Sequence, residues 1–130
     1  MKHEIIEIPV VSEAIRRLGA PTSALTRVGD ILYTCGMPPI DLVTGEIVTG
    51  DIGLQTRACM EALDFTLRHG GSSFNNVFKS LVFITDNSYA AAMNAVYREY
   101  FTGGFPARSC VTISPWTHFD IEIECIATVG

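Results

Sequence analysis

The sequence predicts an α+β fold, one mixed β-sheet with two helices packed on a single face. Three observations carry this reading. Short segments alternate polar and apolar residues or stay apolar for the length of a strand, and two longer segments switch to a helical period. The order along the chain is strands, helix, strand, helix, strands, which leaves one sheet face for something else to cover.

Glu4 to Ile8 alternates and reads as a first strand. Asp30 to Cys35, after a Val-Gly turn signal, is rich in β-branched and aromatic residues, and Gly36-Met37-Pro38-Pro39 ends it. Thr44-Gly45 suggests a turn into Glu46-Ile47-Val48. From Asp51 to His69, Ala58, Cys59, Ala62, Leu63, Thr66 and Leu67 share one helical face, and Gly70-Gly71 supplies a stop. Val77 to Thr85 is a near-continuous apolar run, expected to be a central strand covered on both faces. Asp86 is the expected N-cap of a second helix, in which Tyr89, Met93, Val96, Tyr97 and Tyr100 repeat until Gly103-Gly104. Arg108 to Ser114 and Ile121 to Val129 complete the sheet, expected as a hairpin.

The 130 residues are 48% hydrophobic and only 18% charged, with a mean hydropathy of +0.29. A single domain over residues 1–130 is expected at this length. The apolar content excludes disorder, and runs such as Leu81-Val82-Phe83-Ile84 fall far short of the about 18 apolar residues of a membrane span. So few charges leave apolar surface on a monomer, so a homo-oligomer is expected. A net charge of −5 without a basic cluster argues against nucleic acid. The N-terminus carries no signal-peptide pattern, and Cys35, Cys59, Cys110 and Cys125 read as free thiols of a cytoplasmic protein. His3, His69 and His118 show no metal-ligand spacing, so no metal is expected.

Arg108 stands where a loop enters a strand, in Phe105-Pro106-Ala107-Arg108-Ser109-Cys110-Val111. There it either ion-pairs at the surface or presents two parallel N–H donors to a ligand carboxylate, which a lysine cannot do. Glu122, on the neighbouring strand of the expected hairpin, either belongs with Glu124 to a solvated strand edge or reaches the same pocket. If Glu122 points outward, Ile121 and Ile123 point into the core. Cys110 is read as a small packing residue rather than a nucleophile, Asn94 as a helix-surface residue, and the tyrosines as helix-on-sheet packing. The paired glycines lack the setting of a phosphate-binding loop.

Several stretches together resemble one family. They are Cys35-Gly36-Met37-Pro38-Pro39 with Thr44-Gly45-Glu46, Gln55-Thr56-Arg57, Asn94-Ala95-Val96-Tyr97 before Tyr100-Phe101, Phe105-Pro106-Ala107-Arg108-Ser109-Cys110, and Ile121-Glu122-Ile123-Glu124. In order and over residues 19 to 129, the chain is similar to the Rid proteins, the reactive intermediate deaminases, also called YjgF-like. The resemblance implies a chorismate-mutase-like α+β fold, a homotrimer with ligand clefts between subunits, and cofactor-free hydrolysis of imines and enamines derived from amino acids. It implies that Arg108 clamps the substrate carboxylate, Glu122 positions water, the backbone at Cys110 helps hold the ligand, and Gly36 and Asn94 line or support the cleft. The chain departs from the family at two places. Gly19-Ala20-Pro21-Thr22 puts Thr22 where members carry a ligand-facing tyrosine, and Cys35 replaces a serine. A roomier, less polar pocket follows, suited to a bulkier imine or an aminomuconate-like enamine, or to weaker activity on 2-iminopropanoate and 2-iminobutanoate. The alternatives are a non-catalytic trimer that binds small carboxylates or acts as a chaperone-like module and, less in keeping with the charge, an endoribonuclease.

Overall fold

The computed structural model of the protein describes residues 2–116 and 118–130. In chain order the elements are β1 (Glu4–Ile6), α1 (Val11–Arg17), β2 (Leu25–Val28), β3 (Ile31–Thr34), α2 (Ile52–His69), β4 (Val77–Ile84), α3 (Ala90–Tyr97), β5 (Ala107–Thr112) and β6 (Ile121–Thr128). The strands form one six-stranded sheet in the order β1-β2-β3-β6-β4-β5. The β4–β5 pair is parallel and the other pairs are antiparallel, so the sheet is mixed as expected.

The expected long helix is α2. The Asp51 side chain accepts the Leu54 N–H at 3.0 Å, capping the first turn, while Arg68 and His69 sit in the last turn, where positive charge suits the helix dipole. Its buried stripe runs through Gln55, Thr56, Cys59, Met60, Ala62, Leu63, Thr66 and Leu67. Gly71, at φ +83°, makes the left-handed stop. The core lies between α2 and the sheet, where Leu25, Leu32, Val82, Ile84, Ile121 and Ile123 are buried.

The structure differs from the sequence reading in several places. Three α-helices are present among the described residues rather than two. The additional α1 is seven residues long and has no side-chain cap at Val10, so only Val11, Ala14 and Ile15, all buried, betray its period. β2, also unpredicted, shows only four residues. The first strand stops at Ile6, and Glu46–Val48 is not a strand but contributes one bridge, Ile40 with Ile47. Asp86 does cap, accepting the Ser88 N–H at 2.8 Å, but it opens a 3-10 turn that precedes α3.

β4 is interior to the sheet yet covered on one face only. Val77, Ser80, Val82 and Ile84 are buried on the helix side, whereas Lys79, Leu81 and Phe83 are half-buried on the other. The apolar run arises because the helix-free face is itself largely apolar. Tyr33, Leu81, Phe83, Val111 and Ile126 lie there by strand register, and Tyr33 and Val111 are exposed. The expected β5–β6 hairpin is absent. The chain passes from β4 through α3 into a parallel β5, the crossover such a pair requires, and β6 then returns to the opposite edge of β4. No helix of the described residues is long and apolar enough to cross a membrane.

Candidate functional site

Arg108 lies in register with Ser80 and shares its side of the sheet, the helix side. Its guanidinium carbon is 4.8 Å from the centroid of the Tyr97 ring, and Nη1 is 3.8 Å from the Met93 sulfur. Tyr97 is buried, and its hydroxyl shares a 2.6 Å hydrogen bond with the buried Ser80 hydroxyl. The ring is thus fixed before it meets the cation, and a cation over an aromatic face is held without being neutralised. Around the guanidinium is an open cavity of about 260 Å³ lined by Asn94, Tyr97, Arg98, Phe105, Pro106 and Arg108. Two arginines and no carboxylate line it, and neither arginine ion-pairs with a described acid. That composition attracts an anion.

Glu122 lies on the other side. β6 alternates with Ile121, Ile123 and Cys125 buried, so Glu122 and Glu124 project from the face opposite α2 and α3. Glu122 lines a second cavity of about 160 Å³ with Thr22, Cys35, Gly36, Pro38, Ile15 of α1 and Leu18 just after it. Met37 exchanges backbone hydrogen bonds with Ile123, at 2.9 and 3.2 Å, which brings the preceding Gly36 against the Glu122 carboxyl. A Cβ at Gly36 would collide with Glu122 Oε1 and meet the carboxyl carbon at 3.4 Å, so only glycine permits this approach. Burial, with a smaller contribution from Glu124, pushes the Glu122 carboxyl up to about 7. Burial, followed by the charge of Glu122, pushes the Cys35 thiol up to about 12, so Cys35 stays protonated.

Residues 13–129 match the sequence model of the family described as Endoribonuclease L-PSP. The chain belongs to the Rid family. A RutC family protein of Pyrococcus abyssi is 40% identical over 122 residues, covering 93% of this chain and 95% of its own. A mouse protein named 2-iminobutanoate/2-iminopropanoate deaminase is 30% identical over 111 residues, covering 85% of this chain and 82% of its own. Among solved structures, a Rid protein of Yersinia pestis superposes with a TM-score of 0.88 at 35% identity, covering 98% of this chain and 100% of that one. The α+β fold with one mixed sheet is therefore that of Rid structures, and the family includes imine deaminases.

In this Rid protein the predicted residues fall into two separate groups. Asn94 shares a cavity with Arg108, and Thr22, Cys35 and Gly36 share one with Glu122. Cys110 is exposed on β5, two residues beyond Arg108, and does not line the arginine cavity. The expectation that Arg108 and Glu122 reach one pocket from adjacent strands is overturned within a chain. β4 stands between their strands, and their side chains leave opposite faces of the sheet. Tyr97, Arg98, Phe105 and Pro106 were not foreseen as lining residues. The spacing of Asn94, Tyr97 and Arg98, three and four residues apart on α3 and the turn after it, was the available signal.

Proposed function

We propose that this Rid protein is a cofactor-free hydrolytic deaminase of imines and enamines derived from amino acids, releasing a 2-oxo acid and ammonia. The observation that carries the reading is the division of the machinery, with an unneutralised anion-binding arginine on one side of the chain and a near-neutral carboxyl on the other. Each is half of a site, and a homotrimer joins Arg108 of one subunit to Glu122 of the next. The apolar helix-free face supports such an assembly, since exposed apolar surface of this kind is characteristically buried by a partner.

In the proposed reaction, the Arg108 guanidinium binds the substrate carboxylate through two parallel hydrogen bonds, which fixes the imine carbon in the cleft. Glu122 accepts a proton from water as the water oxygen bonds to that carbon, and the imine nitrogen gains a proton. The carbon–nitrogen bond of the resulting carbinolamine then breaks. Glu122 returns its proton to the departing amine, the hydroxyl loses its own, and the products are a 2-oxo acid and ammonia. A carboxyl that titrates at about 7 serves both directions near neutral pH. The steps need neither a metal nor a covalent nucleophile, because a protonated imine is already electrophilic. Support also comes from the mouse relative named for this activity, at 30% identity. Thr22 and Cys35 favour a substrate bulkier than 2-iminopropanoate, including an aminomuconate-like enamine.

The test is to generate imines in situ from several amino acids with an oxidase and follow the 2-oxo acid. Acceleration by the wild-type protein is expected, with a loss of at least about a hundredfold in Arg108→Ala and slow turnover with intact binding in Glu122→Gln. Wild-type rates in Arg108→Ala would overturn the assignment. No acceleration with any imine would favour a carboxylate-binding or chaperone-like trimer, a reading that Thr22 supports because it removes the aromatic ring from the cleft. A net charge of −5 weighs against RNA as the substrate.

A further inference from the structure

Gln55 has no part in the proposed chemistry, yet its side chain is 2% exposed and its amide is fully engaged. Nε2 donates to the Gly50 carbonyl at 2.9 Å and to Asp120 Oδ2 at 3.0 Å, and Oε1 accepts the Asp120 backbone N–H at 2.8 Å. Thr85 holds the other side of Asp120, its hydroxyl donating to Oδ1 at 2.9 Å and its N–H to the backbone carbonyl at 3.1 Å. Asp120 is the residue immediately before β6. One helical turn beyond Gln55, the Cys59 sulfur lies 3.3 Å from the Met37 carbonyl and 3.8 Å from the Ile121 carbonyl. α2 therefore grips both the start of β6 and the loop that carries Gly36.

We infer that Gln55 is a positioning residue for Glu122, acting through Asp120 and the backbone of β6. The Glu122 carboxyl makes no hydrogen bond with the described residues, so nothing but its backbone and the Gly36 contact aims it. That backbone is vulnerable to error. Side chains alternate along a strand, so a slip of one residue would turn Glu122 into the core and expose Ile121 or Ile123. The connection before Asp120 is not a tight turn that could set the register by itself, because β5 does not pair with β6. An amide locked bidentately onto Asp120 fixes the point at which β6 enters between β3 and β4, whose ladders carry the register onward. A neutral partner also leaves the surroundings of Glu122 without added charge. The titratable groups near it are Glu124 on its own strand, Asp120 two residues before it, Cys35 beside Gly36, and Cys59 on α2, and none of these is altered by changing Gln55.

The catalytic consequence rests on the proposed deaminase reading, whereas the positioning itself does not, and the experiment separates the two. The full-length protein and its variants Gln55→Leu, Asp120→Ala and Asp120→Asn are labelled with 13C at glutamate carboxyls, and Glu122 is titrated by NMR. With positioning lost, the carboxyl escapes its buried place beside Gly36. Its midpoint is then expected to fall by at least about one pH unit toward the ordinary carboxylate range in Gln55→Leu and Asp120→Ala. Asp120→Asn, which can still accept from Gln55 Nε2 and donate its own N–H, is expected to keep the wild-type midpoint. In imine hydrolysis the first two variants are expected to lose about tenfold or more in kcat with little change in KM, because the Arg108 cavity is untouched. If Gln55→Leu does not fold, Gln55→Met is read in its place, since it keeps the length of the side chain, adds no charge and removes the amide hydrogen bonds to Asp120 and Gly50. An unchanged Glu122 midpoint in the folded variants overturns the inference. If the wild-type protein hydrolyses no imine, the proposed function falls, and the NMR midpoints still decide the role of Gln55.

Discussion

The carboxyl of Glu122 and the backbone of Gly36 occupy space that a single methyl group would make mutually exclusive. Gly36→Ala is therefore expected to displace the carboxyl and lower kcat at least about tenfold in steady-state imine hydrolysis, with the protein still folded. The same buried carboxyl links stability to pH. Its folded value, about 7, lies above the ordinary one, so the folded state holds a proton that the unfolded chain releases. The stability from this group is present in full at low pH and declines as pH rises through about 7. Thermal melts should show Glu122→Gln gaining on wild type as pH increases from about 5 to about 8, because glutamine has no proton to lose. A difference that stays constant across that range would show that the carboxyl titrates normally. The strand entrance at Arg108 and the alternation around Glu122 left surface readings open for both, and the family resemblance is what singled them out. Tyr97 was not singled out, because a tyrosine packed on a sheet and one that supports an arginine have the same helical period, and only the crossover puts α3 beneath β5.

α2 illustrates which elements a sequence discloses. Its cap at Asp51, its stripe and its terminal glycines all point one way, and its bounds match the expected helix within a residue. The elements that were not foreseen are short ones held by tertiary contact. α1 spans seven residues and starts after Val10, which adopts φ 66° with no capping bond. Strand pairing was the other blind spot. The residues of β5 and β6 were legible, but their partners depend on whether α3 carries the chain across the sheet or the chain simply turns back, and local periodicity is the same in both cases. Energetics should follow burial along α2. Leu63→Ala, at a fully buried position, is expected to cost about 2–5 kcal/mol by chemical denaturation, and Leu54→Ala, 56% exposed, no more than about 0.5 kcal/mol. Equal costs would mean that α2 does not bury the face described.

At the scale of the molecule, the placement of Arg108 and Glu122 on opposite faces makes the proposed activity depend on the proposed trimer. Two inactive variants, Arg108→Ala and Glu122→Gln, should complement each other when unfolded together and refolded as a mixture. Random assembly into closed rings of three leaves most trimers mixed, and each mixed ring has one site with both groups intact, so about a quarter of wild-type activity should return. No recovery would contradict the proposed assembly. The position of β6 has a further consequence, for folding kinetics. β2 and β3 pair across the Gly29-Asp30 turn, β1 reaches β2 through α1, and β4 reaches β5 through α3, so each group can form from elements adjacent in the chain. β6 alone joins the two groups, pairing with β3 across most of the sequence and with β4 from the other side. Insertion of β6 between β3 and β4 therefore requires contacts distant in the chain, of the kind that slows folding. Until it is complete, both inner edges stand open to strands of other chains, so crowded refolding is where this protein is most exposed to aggregation.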